Sequence, residues 1–140
     1  MNSGSWLGLD VGTQRIGVAV ARSDVKIAQP LTTLQNDEQI FQNLAQIIQD
    51  QGVQEMVVGL PRGMNGQDTE QTSFTENFIE KLRVQVSVPI RWQDEALTSQ
   101  KAEQELASRK KPYAKGDVDA LAATYILEDY IAEHVRGSYV

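Results

Sequence analysis

The stretch that decides the fold is residues 7–21, Leu-Gly-Leu-Asp-Val-Gly-Thr-Gln-Arg-Ile-Gly-Val-Ala-Val-Ala. Two arms rich in β-forming residues flank the turn residues 12–15, and this pattern predicts a β-hairpin. Because successive side chains of a strand point to opposite faces, each arm has one bulky face and one nearly bare face. The bulky residues are Leu7, Leu9, Val11, Ile16, Val18 and Val20.

Asp10 stands on the bare face of the first arm, between Gly8 and Gly12. A charge within a strand is disfavoured unless an interaction stabilises it, and small neighbours leave room for a ligand. The pattern therefore predicts a site for a metal ion or a phosphate. The alternative from the hairpin alone is an exposed aspartate near a strand end.

The composition limits the classes of protein and of chemistry. With 140 residues, of which 41% are hydrophobic, the chain fits a single domain over residues 1–140. It has no apolar run of membrane-spanning length and no basic-then-apolar N-terminal segment, so we expect a cytoplasmic protein and no membrane partner. The absence of cysteine and the single histidine, His134, exclude thiolate sites and argue against a Ser-His-Asp triad. Metal chemistry would rest on carboxylates, which select hard ions such as Mg²⁺ or Mn²⁺.

The formal net charge of −6 argues against indiscriminate binding to nucleic acid. One local segment, residues 109–115, is nevertheless basic and carries a proline, which predicts a loop. Its cations and its aromatic residue are Arg109, Lys110, Lys111, Tyr113 and Lys115. We expect either a solvated loop between two helices or a flap that contacts phosphates, with Tyr113 stacking on a base.

The remaining sequence predicts alternating strands and helices. We expect further strands over residues 25–31, 55–60 and 88–92. One helix should begin at a cap at Asn36 or Asp37, and a second at a cap at Asp68. Two more helices are expected over about residues 98–108 and 117–134. Three strands followed by alternating helices and strands predict an α/β fold. Its mixed five-stranded sheet would have antiparallel first strands and helices on both faces.

Two further acids are candidates for a site with Asp10. Glu95 follows the fifth predicted strand, at the end where α/β sheets usually place their chemistry, and its alternative is a plain loop acid. Asp119 falls in the first turn of the last predicted helix, where the helix dipole alone favours an acid. None of the three acids is decisive alone.

Four motifs in order along nearly the whole chain resemble the YqgF/RuvX family of Holliday junction resolvase-like proteins, which have a ribonuclease H-like fold. The motifs are residues 8–12 with 15–19, residues 58–61 followed by 65–66, Asp94-Glu95, and residues 115–116 with 119–123. The resemblance implies that Asp10, Glu95 and Asp119 converge as catalytic, metal-binding acids. One position departs from the family, because Ala96 stands where an arginine commonly follows the Asp-Glu pair.

The resemblance implies a nuclease that uses Mg²⁺ or Mn²⁺ to hydrolyse phosphodiesters. The expected substrate is the 5′ end of pre-16S rRNA, which is processed during ribosome biogenesis. The implied partners are structured RNA or branched DNA and the pre-ribosomal small subunit, with the protein acting as a monomer or a weak homodimer. Arg15 and the basic segment 109–115 would hold phosphates, and solvated charge is the alternative for each.

Three other functions remain open from the sequence. The protein could be a Holliday junction resolvase. It could also be a ribosome-assembly or nucleic-acid-binding module without turnover. The run Asp10-Val11-Gly12-Thr13 also resembles the first phosphate motif of sugar kinases and actin-like ATPases. Those proteins need two such domains around the nucleotide, and 140 residues supply one.

Overall fold

The hairpin forms the centre of the sheet. The computed structural model describes residues 4–95, 107 and 115–135. Strands β1 (Ser5–Val11) and β2 (Arg15–Arg22) pair antiparallel. The N–H of Gly12 donates to the carbonyl oxygen of Arg15 at 2.9 Å and closes the turn. The predicted hairpin is confirmed.

Six more elements follow within the described residues. They are β3 (Ala28–Gln35), α1 (Ile40–Gln51), β4 (Val53–Pro61), α2 (Glu70–Arg83), β5 (Ile90–Glu95) and α3 (Lys115–His134). The strand order is β3-β2-β1-β4-β5, with the first three strands antiparallel and β1, β4 and β5 parallel. This is the predicted mixed sheet, and β3 is the predicted edge strand, although it begins three residues later than the predicted 25. Since β1, β4 and β5 are parallel, their carboxyl ends meet at one edge of the sheet.

The bulky face of the hairpin packs beneath α1 and α2. Leu7, Leu9, Ile16 and Val18 are fully buried there. The helices contribute Ile40, Leu44, Phe78, Ile79 and Leu82 to the same core. Burying such side chains is the main favourable term in folding, so this face stabilises the domain.

The bare face of the hairpin receives α3. A Cβ added at Gly8 would lie 2.9 Å from Leu127 Cβ, and one added at Gly17 would lie 1.9 Å from the carbonyl oxygen of Asp119. Glycines on this face of β1 and β2 therefore let the backbone of α3 pack closely against both strands. Room for a ligand, which the sequence predicted for this face, is present near the strand end, where Asp10 and Gly12 line a cavity.

The predicted caps of α1 and α2 are wrong. Helix α1 begins after Gln39, whose side chain makes no capping hydrogen bond, and it ends at Gly52, whose φ is 60°. Helix α2 is capped by Thr69, one residue after the predicted Asp68. The hydroxyl of Thr69 accepts the N–H of Thr72 at 3.3 Å. Asp68 is instead drawn into an ion pair with Arg62.

Helix α3 begins two residues earlier than predicted, and this changes the environment of Asp119. With the start at Lys115, the acid of the first turn is Asp117, and Asp119 falls in the second turn. The helix dipole acts mainly within the first turn, so it no longer accounts for Asp119. The predicted helix over about 98–108 lies almost wholly outside the described residues. None of the helices in the described ranges is long and apolar enough to cross a membrane.

Candidate active site

One cavity at the carboxyl edge of the sheet contains all three predicted acids. It has a volume of about 450 Å³, and its lining includes Asp10, Glu95, Asp119 and Arg15. The acids come from β1, β5 and α3, which are remote in sequence. The parallel arrangement of β1, β4 and β5 brings the first two acids to the same edge, and the packing of α3 on the sheet adds the third.

The register of the hairpin places Asp119 beside Asp10. Asp10 lies opposite Gly17 across β1 and β2. The missing side chain at Gly17 lets the backbone of Asp119 approach this pair of strands, as the close approach to its carbonyl oxygen shows. The contact between a glycine and a helix backbone therefore sets the separation of the two acids.

Asp10 is a buried acid whose titration the site perturbs strongly. Burial, and secondarily the negative charge of Asp119, raise the pKa of Asp10 from 3.8 to about 7. Both causes disfavour the ionised form, so a cation placed in the cavity would favour it. Carboxylates with strongly raised pKa values in a cleft are typical of functional sites.

Arg15 currently balances the charge of Asp119. Its Nε donates to Asp119 Oδ2 at 2.6 Å, and the two side chains are 30% and 17% exposed. No three acidic or histidine side chains within residues 4–95 and 115–135 are close enough to share a metal ion as they stand. The carboxylate of Asp119 is instead engaged by Arg15.

Glu95 is held at the end of β5. It lies opposite Pro61 in the parallel register of β4 and β5, and its Oε1 is buried. The backbone N–H of Arg62 donates to the carbonyl oxygen of Glu95 at 2.9 Å. The last residue of β5 is thus fixed to the loop that follows β4.

The cavity also contains residues that the sequence reasoning did not assign to it. Arg62 and Gln71 line it together with the turn residues Thr13 and Gln14. Gln71 Nε2 donates to the carbonyl oxygen of Val11 at 3.1 Å. The signal that could have found Arg62 is its position directly after a buried strand, at the same edge as Asp10.

The predicted phosphate contacts divide into two groups. Arg15 lies in the cavity with the acids. Arg109, Lys110, Lys111 and Tyr113 lie outside the described residues, as do Ala96 and the side chain of Lys115. For these positions the sequence-based expectations stand as predictions.

The profile of the RuvX family, described as Holliday junction resolvase, matches residues 4–133. The chain belongs to the RuvX family. A relative from Crocosphaera subtropica, named "Putative pre-16S rRNA nuclease", is 42% identical over 140 residues, covering 97% of each chain. A relative of the same name from Chloroflexus aggregans is 38% identical over 135 residues, covering 94% of this chain and 95% of its own.

Solved structures confirm the predicted ribonuclease H-like fold of this RuvX protein. Thermus thermophilus RuvC, solved with a Holliday junction substrate, has a TM-score of 0.55 at 16% identity, covering 94% of this chain and 96% of its own. The fowlpox virus resolvase, solved with Holliday junction DNA, has a TM-score of 0.52 at 9% identity, covering 94% and 99%. RuvX and RuvC-like proteins are phosphodiester-hydrolysing enzymes, and nucleases of this kind typically use divalent metals.

Proposed function

We propose that this chain is a metal-dependent nuclease that hydrolyses phosphodiesters near the 5′ end of pre-16S rRNA. The observation that carries the proposal is the convergence of Asp10, Glu95 and Asp119 on one cavity at the carboxyl edge of the sheet. The names of the curated relatives support the RNA substrate. Residues 1–140 would then form one nuclease domain, and rRNA processing would place the protein in the cytoplasm.

The donor set of the cavity fits a hard divalent cation. All three candidate ligands are carboxylates, which suit Mg²⁺ or Mn²⁺. Burial, and secondarily the charge of Asp119, raise the pKa of Asp10, and a cation beside it would favour the ionised carboxylate. When bound, two such ions about 4 Å apart can activate water and stabilise the leaving oxygen of a phosphodiester.

Different residues of the chain would bind the cations and the substrate phosphates. Asp10 and Glu95 would hold the cations from the sheet edge, and Asp119 would complete the set after turning away from Arg15. Arg15, once released, would be free to donate to a phosphate of the substrate. The basic segment 109–115 would add phosphate contacts, with Tyr113 stacking on a base.

The test is a cleavage assay with a structured RNA that carries the 5′ leader of the 16S sequence. We expect cleavage by the wild type with Mg²⁺ or Mn²⁺, and none in chelator or with Asp10→Asn. Full cleavage in chelator would contradict the metal mechanism. Cleavage of a four-way DNA junction with no cleavage of the RNA would instead favour the resolvase activity in the family's description, and binding without any cleavage would favour the non-catalytic module.

Helix α3 offers a matched pair of acids for the same assay. Asp117→Asn should lower stability by roughly 0.3–1 kcal/mol, because an acid is lost from the first helical turn, and it should leave cleavage intact. Asp119→Asn should abolish cleavage and change the melting temperature of the metal-free protein little, because relief of the repulsion with Asp10 is offset by loss of the ion pair with Arg15. If the two variants behave alike in both measurements, Asp119 has no special role in the site.

A further inference from the structure

Arg62, which lines the cavity, joins two acidic segments. Its Nε donates to Asp94 Oδ1 at 3.1 Å, and its Nη1 donates to Asp68 Oδ1. Its backbone N–H holds the carbonyl oxygen of Glu95, as described above. The residue after β4 is thereby connected to the acidic end of β5 and to the loop before α2.

The ion pairs of Arg62 are with carboxylates that are largely exposed. The Arg62 side chain is 23% exposed, whereas those of Asp94 and Asp68 are 63% and 67% exposed. Ion pairs with such open partners contribute little to folding stability. Arg62 also lines the cavity that contains the three candidate catalytic acids.

The donor geometry of a guanidinium suits a phosphate at this position. Arginine has five N–H donors in a planar fork, and the contacts to Asp94 and Asp68 use two of them. The remaining donors are available to oxygen atoms of a ligand, and phosphate is a preferred bidentate partner of arginine. A substrate phosphate would also replace two solvated carboxylates as the counter-charge of Arg62.

We propose that Arg62 is a substrate-binding residue of the active site, which donates hydrogen bonds to a phosphate of the nucleic acid next to the cleaved bond. Asp94 and Asp68 hold the guanidinium in place in the free protein and compete with the substrate for it. Arg62 thereby supplies a cation beside the Asp94-Glu95 pair, which Ala96 follows in this chain. The inference rests on the proposed nuclease function.

The structural alternative makes a different prediction for Asp94. If Arg62 only clamps β5 to the loop, Arg62→Gln and Asp94→Asn break the same contact and should have the same effect. If Arg62 binds phosphate, Asp94→Asn removes a competitor and leaves the cation, so the two variants should have opposite effects on RNA binding.

The experiment measures binding of the structured 16S leader RNA by fluorescence anisotropy, with chelator present so that the RNA stays intact. The affinity is measured in a salt series between about 50 and 200 mM. Arg62→Gln should weaken binding and reduce the slope of log affinity against log salt by about one, the loss of one phosphate contact. Arg62→Lys should keep the slope, and Asp94→Asn should bind as tightly as the wild type or more tightly.

Arg22 and Asp24 form the matched control pair. They are joined by two hydrogen bonds of 3.2 and 2.9 Å between exposed side chains at the far end of β2. Arg22→Gln and Asp24→Asn should leave affinity and salt slope unchanged. Melting curves of all variants check that each protein is folded.

The possible failures are distinguishable. A wild type that binds no RNA would overturn the proposed function and this inference with it. A wild type that binds RNA normally, with an unchanged salt slope in Arg62→Gln or equal losses in Arg62→Gln and Asp94→Asn, would overturn the role of Arg62 alone.

Discussion

The two faces of the central hairpin use the same strands for different purposes. The bulky face packs Leu7, Leu9 and Val18 against α1 and α2, with no exposed surface on these side chains. The bare face brings the backbone of α3 against Gly17 and places Asp119 near Asp10. On one face, large side chains bury apolar surface and stabilise the fold. On the other face, small residues let α3 approach the strands closely, and this approach sets the geometry of the site.

The largest expected effect tests the bulky face. Leu9→Ala should lower the free energy of unfolding by about 2–5 kcal/mol, because the wholly buried side chain leaves a cavity in the core. Urea denaturation measures this loss. The cleavage rate per folded molecule should stay near that of the wild type at a temperature where the variant is folded, and a large loss of that rate would show that the two faces are not separable.

The second prediction tests the bare face. Gly17→Ala places a Cβ against the backbone of Asp119 and must displace α3, since the separation of 1.9 Å is far below van der Waals contact. A displacement of about 1 Å can lower a catalytic rate roughly 100-fold, and we expect a loss of that order in kcat/KM. Gly116→Ala is the control on the same helix, because its Cβ would meet Thr33 at an ordinary 3.6 Å. Equal activity in the two variants would contradict the positioning role of Gly17.

The third prediction concerns pH. The raised pKa of Asp10 keeps its carboxyl protonated up to about pH 7 in the folded protein, whereas in the unfolded chain the pKa returns to the ordinary 3.8. Between these values the folded state binds more protons, so in chelator the contribution of Asp10 to stability falls as pH rises, by up to about 1.4 kcal/mol per pH unit.

Asp10→Asn isolates this contribution from the other titrating groups. In chelator the variant should be more stable than the wild type above pH 7, and the difference should shrink toward pH 4. Urea denaturation at several pH values measures it. A difference that does not change with pH would mean that Asp10 titrates alike in both states.

The smallest expected effect concerns the ion pair between Arg15 and Asp119. Arg15→Gln frees the carboxylate for a cation, so the rise in melting temperature should begin at a lower Mn²⁺ concentration. The Mn²⁺ concentration at which the rise begins should fall by at most about fivefold, because a partly exposed ion pair contributes up to about 1 kcal/mol. Arg22→Gln is the control, and an unchanged Mn²⁺ dependence in Arg15→Gln would show that the ion pair does not compete with the metal.

The sequence by itself determined the hairpin, the mixed sheet and its helical layers. Alternation along residues 7–21 needs only the periodicity of a strand, and the helical stripes need only that of a helix. It also indicated Asp10, because a carboxylate among glycines is unusual in a strand. The family motifs added Glu95 and Asp119, neither of which was decisive from its own neighbourhood.

Only the tertiary structure decided which groups meet. The cap of α2 was predicted one residue too early, since Asp68 pairs with Arg62 and Thr69 caps the helix. The separation of Asp10 and Asp119 depends on how closely α3 approaches Gly17, and the place of Arg62 depends on the register of β4 beside β5. Periodicity predicts elements because it is local, but charges that are distant in sequence interact only after packing has placed them together.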